Sequence, residues 1–128
     1  MARILVVDDD ALVREMMRVM LEGSGHAVAE AGDGMAALDF LAAEPADLMI
    51  ADIMMPELDG IGLIVAVRKR HPNLRVLCVS GGGRDFKADY LPIAEKLGAD
   101  MVLAKPFKAK QLIAAVDAVL RDDSRRPQ

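Results

Sequence analysis

Tryptophan is absent from this 128-residue chain, and only four rings remain: Phe40, Phe86, Tyr90 and Phe107. With so few aromatics the core has to be aliphatic, and nine methionines supply adaptable filler. Met16, Met17 and Met20 fall in an amphipathic pattern that favours core filling over a docking face. Cysteine occurs once, as Cys78, so no internal disulfide can form. Its place in the apolar run "VLCVS" marks it as a small buried hydrophobe rather than a nucleophile. Positive charge is not in excess: a formal charge of −4 gives no support for a nucleic-acid surface. The basic cluster Arg68, Lys69 and Arg70 falls at an expected helix end, where the helix dipole and solvent account for it. No apolar run is long enough to cross a bilayer, and "MARILVV" enters a strand with no basic start or cleavage site. A cytoplasmic protein without membrane contact is the expectation.

Five short apolar runs, 3–7, 27–31, 48–51, 75–79 and 101–104, alternate with segments of helical period. In residues 11–22, Leu12, Met16, Val19 and Met20 recur at helical spacing, and "GDGMAALDFLAAE" supplies Met35, Leu38, Leu41 and Ala42. A third helix is expected from about 60 to 70, stopped before Pro72, and a fourth within 88–97, capped by Gly98. The last, 108–121, puts Leu112, Val116, Val119 and Leu120 on one face. One domain over 1–121 is expected, followed by a polar tail over 122–128 that could not fold into an output domain. Five β-α units in succession imply an α/β fold with a parallel sheet, right-handed crossovers and helices on both faces. In such sheets ligands bind beyond the carboxyl ends of the strands.

Those ends carry chemistry. The stretch "ILVVDDD" runs four buried-type residues into Asp8, Asp9 and Asp10, whose mutual repulsion needs an offset. The third strand ends at Asp52, the fourth at Ser80 and the fifth at Lys105; the second ends in no obvious chemical group. Asp10 is placed to cap the following helix. Asp8, Asp9 and Asp52 together form a hard oxygen set suited to Mg²⁺ or Mn²⁺. Lys105, just before Pro106, is held near them. His26 and His71 stand alone near segment ends and are expected to be solvated.

"ILVVDDD", "ADIMMPELDG", "VSGGG" and "KPF", in this order and at these separations, resemble the receiver domain of bacterial two-component response regulators, from about residue 3 to 120. The resemblance implies a doubly wound, five-stranded flavodoxin-like sheet in the order 2-1-3-4-5 with five helices. It implies that Asp52 accepts a phosphoryl group from a histidine kinase or a histidine phosphotransfer protein. Asp9, Asp52 and the main-chain carbonyl of Met54 would bind Mg²⁺ directly, with Asp8 holding the ion through water. Ser80 would hydrogen-bond the aspartyl phosphate, Lys105 would pair with it, and the Lys105–Pro106 bond would be cis. The implied role is a phosphorylation-dependent switch or relay that catalyses only its own modification and is read by a downstream protein the residues do not specify. The usual partner face of such domains lies on the last two helices and the fifth strand.

Two departures bear on the switch. Val102 stands where many receivers carry an aromatic residue that swings inward, so that coupling is expected to be absent or replaced. The segment "SGGGRDFKADYLPIAEKLGAD" is glycine-rich and interrupted by Pro92, so output through order and disorder of this loop is expected instead. Met54 and Gly82, two residues beyond Asp52 and Ser80, offer no side chain that could orient an attacking water. A persistent aspartyl phosphate is therefore expected, and loss of label within seconds in purified protein would contradict it. Two other functions fit the same residues: a scaffold that binds partners without phosphorylation, and an Mg²⁺-dependent phosphohydrolase with an aspartyl-phosphate intermediate. The second would need a further acid for proton transfer, and none is visible.

Overall fold

The computed structural model describes residues 2–53, 60–80, 96 and 98–121. Five strands, β1 (Arg3–Val7), β2 (Ala27–Ala31), β3 (Leu48–Asp52), β4 (Arg75–Ser80) and β5 (Met101–Ala104), pair in parallel in the order β2-β1-β3-β4-β5. Among the described residues there are four helices: α1 (Ala11–Glu22), α2 (Gly34–Ala43), α3 (Gly60–Arg70) and α4 (Ala109–Arg121). Apart from residue 96, the helix expected within 88–97 lies outside the described residues, as do the glycine-rich stretch 81–83 and the tail. The chain steps outward from β1 to β2, then back across β1 to β3. Right-handed crossovers therefore place α1 on one face of the sheet and α2 on the other.

Alternation along the strands sorts the core into two layers. Leu5, Val7, Met49, Ala51, Val76 and Cys78 pack with Leu38, Leu41, Leu63 and Val67 of α2 and α3. Ile4, Val6, Leu48, Ile50, Leu77 and Val79 pack with Met17 and Leu21 of α1 and Leu112 and Val116 of α4. β1, β3 and β4 are covered on both faces, which is why they read as unbroken apolar runs. Each fully buried Leu, Ile or Val contributes about 1.5–3 kcal/mol, and that supports the gathering of like charges at the sheet edge. Burial also pushes the Cys78 thiol up to about 12. Native protein near pH 8 should accordingly resist Ellman's reagent and react with it once denatured; rapid labelling of the folded chain would contradict this packing.

Local signals set the helix ends. Asp10 caps α1, its Oδ1 accepting from the amides of Leu12 at 3.0 Å and Val13 at 3.4 Å. Asp33 caps α2 through the amide of Ala36 at 2.8 Å. Gly25, at φ +93°, turns the chain from α1 into β2, a conformation L side chains avoid.

Four expectations are corrected. In α1 the core face is Met17 and Leu21 with Val13 and Met20 partly covered, whereas Leu12, Met16 and Val19 are 65%, 50% and 63% exposed. In α2, Ala37, Leu38 and Leu41 are buried but Met35 and Ala42 face outward. Arg68 is not solvated: its guanidinium donates to the carbonyls of Gly98 (2.9 Å), Pro72 (3.2 Å) and Leu74, and pairs with Asp100 at 3.0 Å. His26 is half-buried, its Nδ1 accepting from the amide of Ala2 at 3.1 Å, and His71 is half-buried too.

Candidate functional site

The register of the sheet assembles the site. Val7 lies opposite Ala51, so Asp8 leaves β1 level with Asp52, the last residue of β3. β1 and β3 part at their carboxyl ends, β1 leading into α1 on one face and β3 toward α3 on the other, which opens a cleft at this point. Asp8 and Asp52 are 1% and 6% exposed, and Asp9 faces solvent. One carboxylate oxygen from each of the three lies within 4.8 Å of the others.

Lys105 enters from the end of β5. Its Nζ donates to Asp8 Oδ2 at 2.8 Å and to Asp52 Oδ2 at 3.1 Å. Unit charges about 4 Å apart interact by roughly 4 kcal/mol at an effective dielectric near 20, so an ammonium between two carboxylates offsets much of their repulsion. Burial lowers the pKa of Lys105, but the hydrogen bond to Asp8 and the charges of Asp52 and Asp8 outweigh it and hold the ammonium above its ordinary value. The Lys105–Pro106 bond is cis, as the resemblance implied.

Main-chain amides fix the acids further. Asp8 donates from its amide to the Ala31 carbonyl at 3.2 Å, and its Oδ1 accepts from the Asp10 amide at 2.9 Å. Ser80 ends β4 opposite Ala104, the residue before Lys105. Met54 lies outside the described residues, as does the Ser80 side chain. Val102, half-buried on β5 opposite Cys78, packs against the layer formed with α2 and α3. Three convergent carboxylates, all hard oxygen donors, fit a small divalent cation that retains part of its water shell.

A second layer was missed by sequence reasoning. Arg14 of α1 donates from Nη1 to the main-chain carbonyl of Asp8 at 2.7 Å and from Nε to Glu30 Oε1 at 3.1 Å. Arg18 reaches Glu30 Oε2 at 2.9 Å. The signal was present: Glu30 is the lone charge in the strand "AVAEA", and Arg14 and Arg18 lie one helical turn apart.

A parallel 2-1-3-4-5 sheet with three acids and a lysine at the carboxyl edge defines a doubly wound, flavodoxin-like α/β domain with an acidic pocket at its strand ends. The chain belongs to the response regulator receiver domain family, whose model matches residues 4–117. It is 40% identical to the response regulator MprA of Mycobacterium avium (strain 104) over 119 residues, 93% of this chain and 51% of that protein. The same identity and share of this chain hold for MprA of Mycobacterium tuberculosis (strain H37Rv), of which 50% is covered. The chain thus spans about half the length of these curated relatives. Among solved structures, the receiver domain of NtrX from Brucella abortus superposes with a TM-score of 0.86 at 34% identity, covering 91% of this chain and 97% of that one. Vibrio cholerae chemotaxis protein CheY4 superposes at 0.82 with 28% identity, covering 93% and 98%. Among the described residues no helix is long and apolar enough to cross a membrane.

Proposed function

We propose that Asp52 accepts a phosphoryl group from a phosphohistidine on a histidine kinase or histidine phosphotransfer protein, and that the chain acts in the cytoplasm as a phosphorylation-dependent switch or relay module. The observation that carries this reading is the convergence of Asp8, Asp9, Asp52 and Lys105 on one edge of a receiver sheet. The Asp52 carboxylate oxygen attacks phosphorus as the bond to the histidine nitrogen breaks, and the imidazole leaves. In so loose a transition state the protein's task is positioning and neutralising the equatorial oxygens. Lys105, which donates to Asp52, would shift to the incoming phosphoryl oxygens, and the Ser80 hydroxyl would hydrogen-bond them, as the family resemblance implies. Asp9, Asp52 and the Met54 carbonyl would hold Mg²⁺, with Asp8 through water; the bound ion supplies further charge neutralisation. The group modified is the protein's own, so the chain is not an enzyme acting on outside substrates. Phosphorylation takes Asp52 from one negative charge to about two and adds acceptor oxygens, a local change that loops at this edge can convert into an altered surface.

Phosphotransfer from a phosphohistidine-bearing donor to the native chain and to Asp52→Asn tests the reading. Transfer to the native chain alone is expected; transfer to both would overturn the assignment of Asp52.

The surface beside the site supports a protein donor. Leu12, Met16 and Val19 form an exposed apolar stripe along α1. It borders a groove of about 370 Å³ lined by Val13, Met16, Met17, Met20, Lys105, Pro106 and Phe107. Because Lys105 touches Asp52, a donor that brings its histidine to Asp52 covers this groove. Met16→Glu should slow transfer from such a donor about tenfold or more while leaving labelling by acetyl phosphate unchanged. Equal slowing with both donors would argue against this docking face.

A further inference from the structure

The turn that carries the two adjacent acids rests on a strut that none of the roles above uses. Arg14 lies in the second quarter of α1, its amide bonded to the Asp10 carbonyl at 3.0 Å and its guanidinium folded back across the turn. Nη1 donates to the Asp8 carbonyl at 2.7 Å, and Nε donates to Glu30 Oε1 at 3.1 Å. Glu30 lies on the edge strand β2 opposite Val6, and its second oxygen is held by Arg18 at 2.9 Å. The pair is largely sheltered, with side chains 20% and 23% exposed.

The carbonyl that Arg14 grips belongs to the peptide unit joining Asp8 to Asp9. That unit is planar, so fixing its oxygen fixes the direction in which the chain leaves Asp8 and presents Asp9. The Asp8 amide is already tied to Ala31 and the Asp10 amide to the Asp8 carboxylate. Arg14 therefore restrains the peptide plane between the two acids from the side of β2. We propose that Arg14 is a positioning residue for the divalent-cation site: by clamping the Asp8 carbonyl to Glu30 it sets the angle between the Asp8 and Asp9 carboxylates, and so the affinity for the ion. It does this without being a ligand. The inference rests on the reading that Asp8, Asp9 and Asp52 bind Mg²⁺.

Charge and geometry make opposite predictions here, which is what makes the role testable. As a nearby cation, the guanidinium repels a dication, so its removal should tighten Mg²⁺ binding if charge is all it contributes. As a strut that orients ligands from behind, its removal should weaken binding, by about ten- to a hundredfold for outer partners of this kind. Lysine preserves the charge but not the planar fork that holds Glu30 and the Asp8 carbonyl together.

Calorimetric titration with Mg²⁺ of the native 128-residue chain, Arg14→Met, Arg14→Lys and Asp52→Asn, each well below its unfolding temperature, decides the matter. Arg14→Met is expected to bind Mg²⁺ about tenfold or more weakly, and Arg14→Lys to remain weakened. Unchanged or tighter binding by Arg14→Met overturns the proposal, since a purely structural residue would alter melting without altering affinity. If the native chain takes up no Mg²⁺, or Asp52→Asn binds it as well, the cation reading itself fails and the proposal falls with it. Should Arg14→Met not fold, Glu30→Gln keeps an acceptor but loosens the anchor. It is expected to weaken binding about threefold, and unaltered affinity in that variant overturns the proposal as well.

Discussion

Replacing Lys105 with methionine should cost the folded chain about 3 kcal/mol in EDTA, and Mg²⁺ should return most of it. The Lys105 ammonium is the counter-ion for Asp8 and Asp52, whose side chains are 1% and 9% exposed. Without it, carboxylates withdrawn from water face one another with less compensation. A divalent cation among the same oxygens would substitute for the lost charge, and its affinity should rise because it no longer competes with the ammonium for Asp8 and Asp52. Labelling by acetyl phosphate should move the other way and slow about a hundredfold, because one donor to the transferring oxygens has gone. Tighter Mg²⁺ binding with slower phosphorylation is a combination that general damage to the fold cannot produce. Urea unfolding with and without Mg²⁺, alongside labelling rates, measures both. A stability loss indifferent to Mg²⁺ would mean that Lys105 does not act as the counter-ion.

The second large effect is expected far from the acids. Arg68→Ala should destabilise the chain by about 3 kcal/mol. Its guanidinium ties the end of α3 to the carbonyls of Gly98, Pro72 and Leu74 and to Asp100, and the same Asp100 oxygen accepts from the Val76 amide at 2.8 Å. With side chains 14% and 8% exposed, Arg68 and Asp100 form a sheltered pair whose rupture leaves a buried charge behind. Gly98, at φ +119°, passes so close that a Cβ there would meet the Arg68 side chain at 2.8 Å. Urea unfolding of Arg68→Ala, Asp100→Ala and the double variant gives the coupling directly. A loss below about 1 kcal/mol for Arg68→Ala, typical of a surface pair, would contradict the staple.

The five strands were legible because buried parallel strands are short apolar runs, and the convergence of Asp8, Asp9, Asp52 and Lys105 because these residues end or directly follow those runs at the carboxyl edge. Asp10 was legible as a cap for a similarly local reason. The inward face of α1 was not. "ALVREMMRVMLE" offers two rival apolar stripes, Leu12, Met16 and Val19 or Val13, Met17, Met20 and Leu21, and periodicity cannot rank them. Docking on the sheet chose the second, leaving the first exposed. α2 is apolar nearly all round, so Met35 and Ala42 could not be told from Leu38 and Leu41 by spacing. Arg68 and Arg14 were misjudged or missed because their partners, Asp100 and the Asp8 carbonyl among them, are brought near only by the fold. Charged side chains gathered by tertiary structure leave a faint trace in sequence, here a lone Glu30 in an apolar strand.

If this edge of the sheet is chemically competent, Asp52 is the group that carries the phosphoryl adduct. Intact mass after incubation with acetyl phosphate, with and without Mg²⁺, for the native chain and Asp52→Asn, tests it most directly. A single phosphoryl adduct that requires Mg²⁺ and vanishes in Asp52→Asn is the expected result. No adduct, or one indifferent to Asp52, would contradict the phosphoacceptor role and leave partner binding without phosphorylation as the function of this surface.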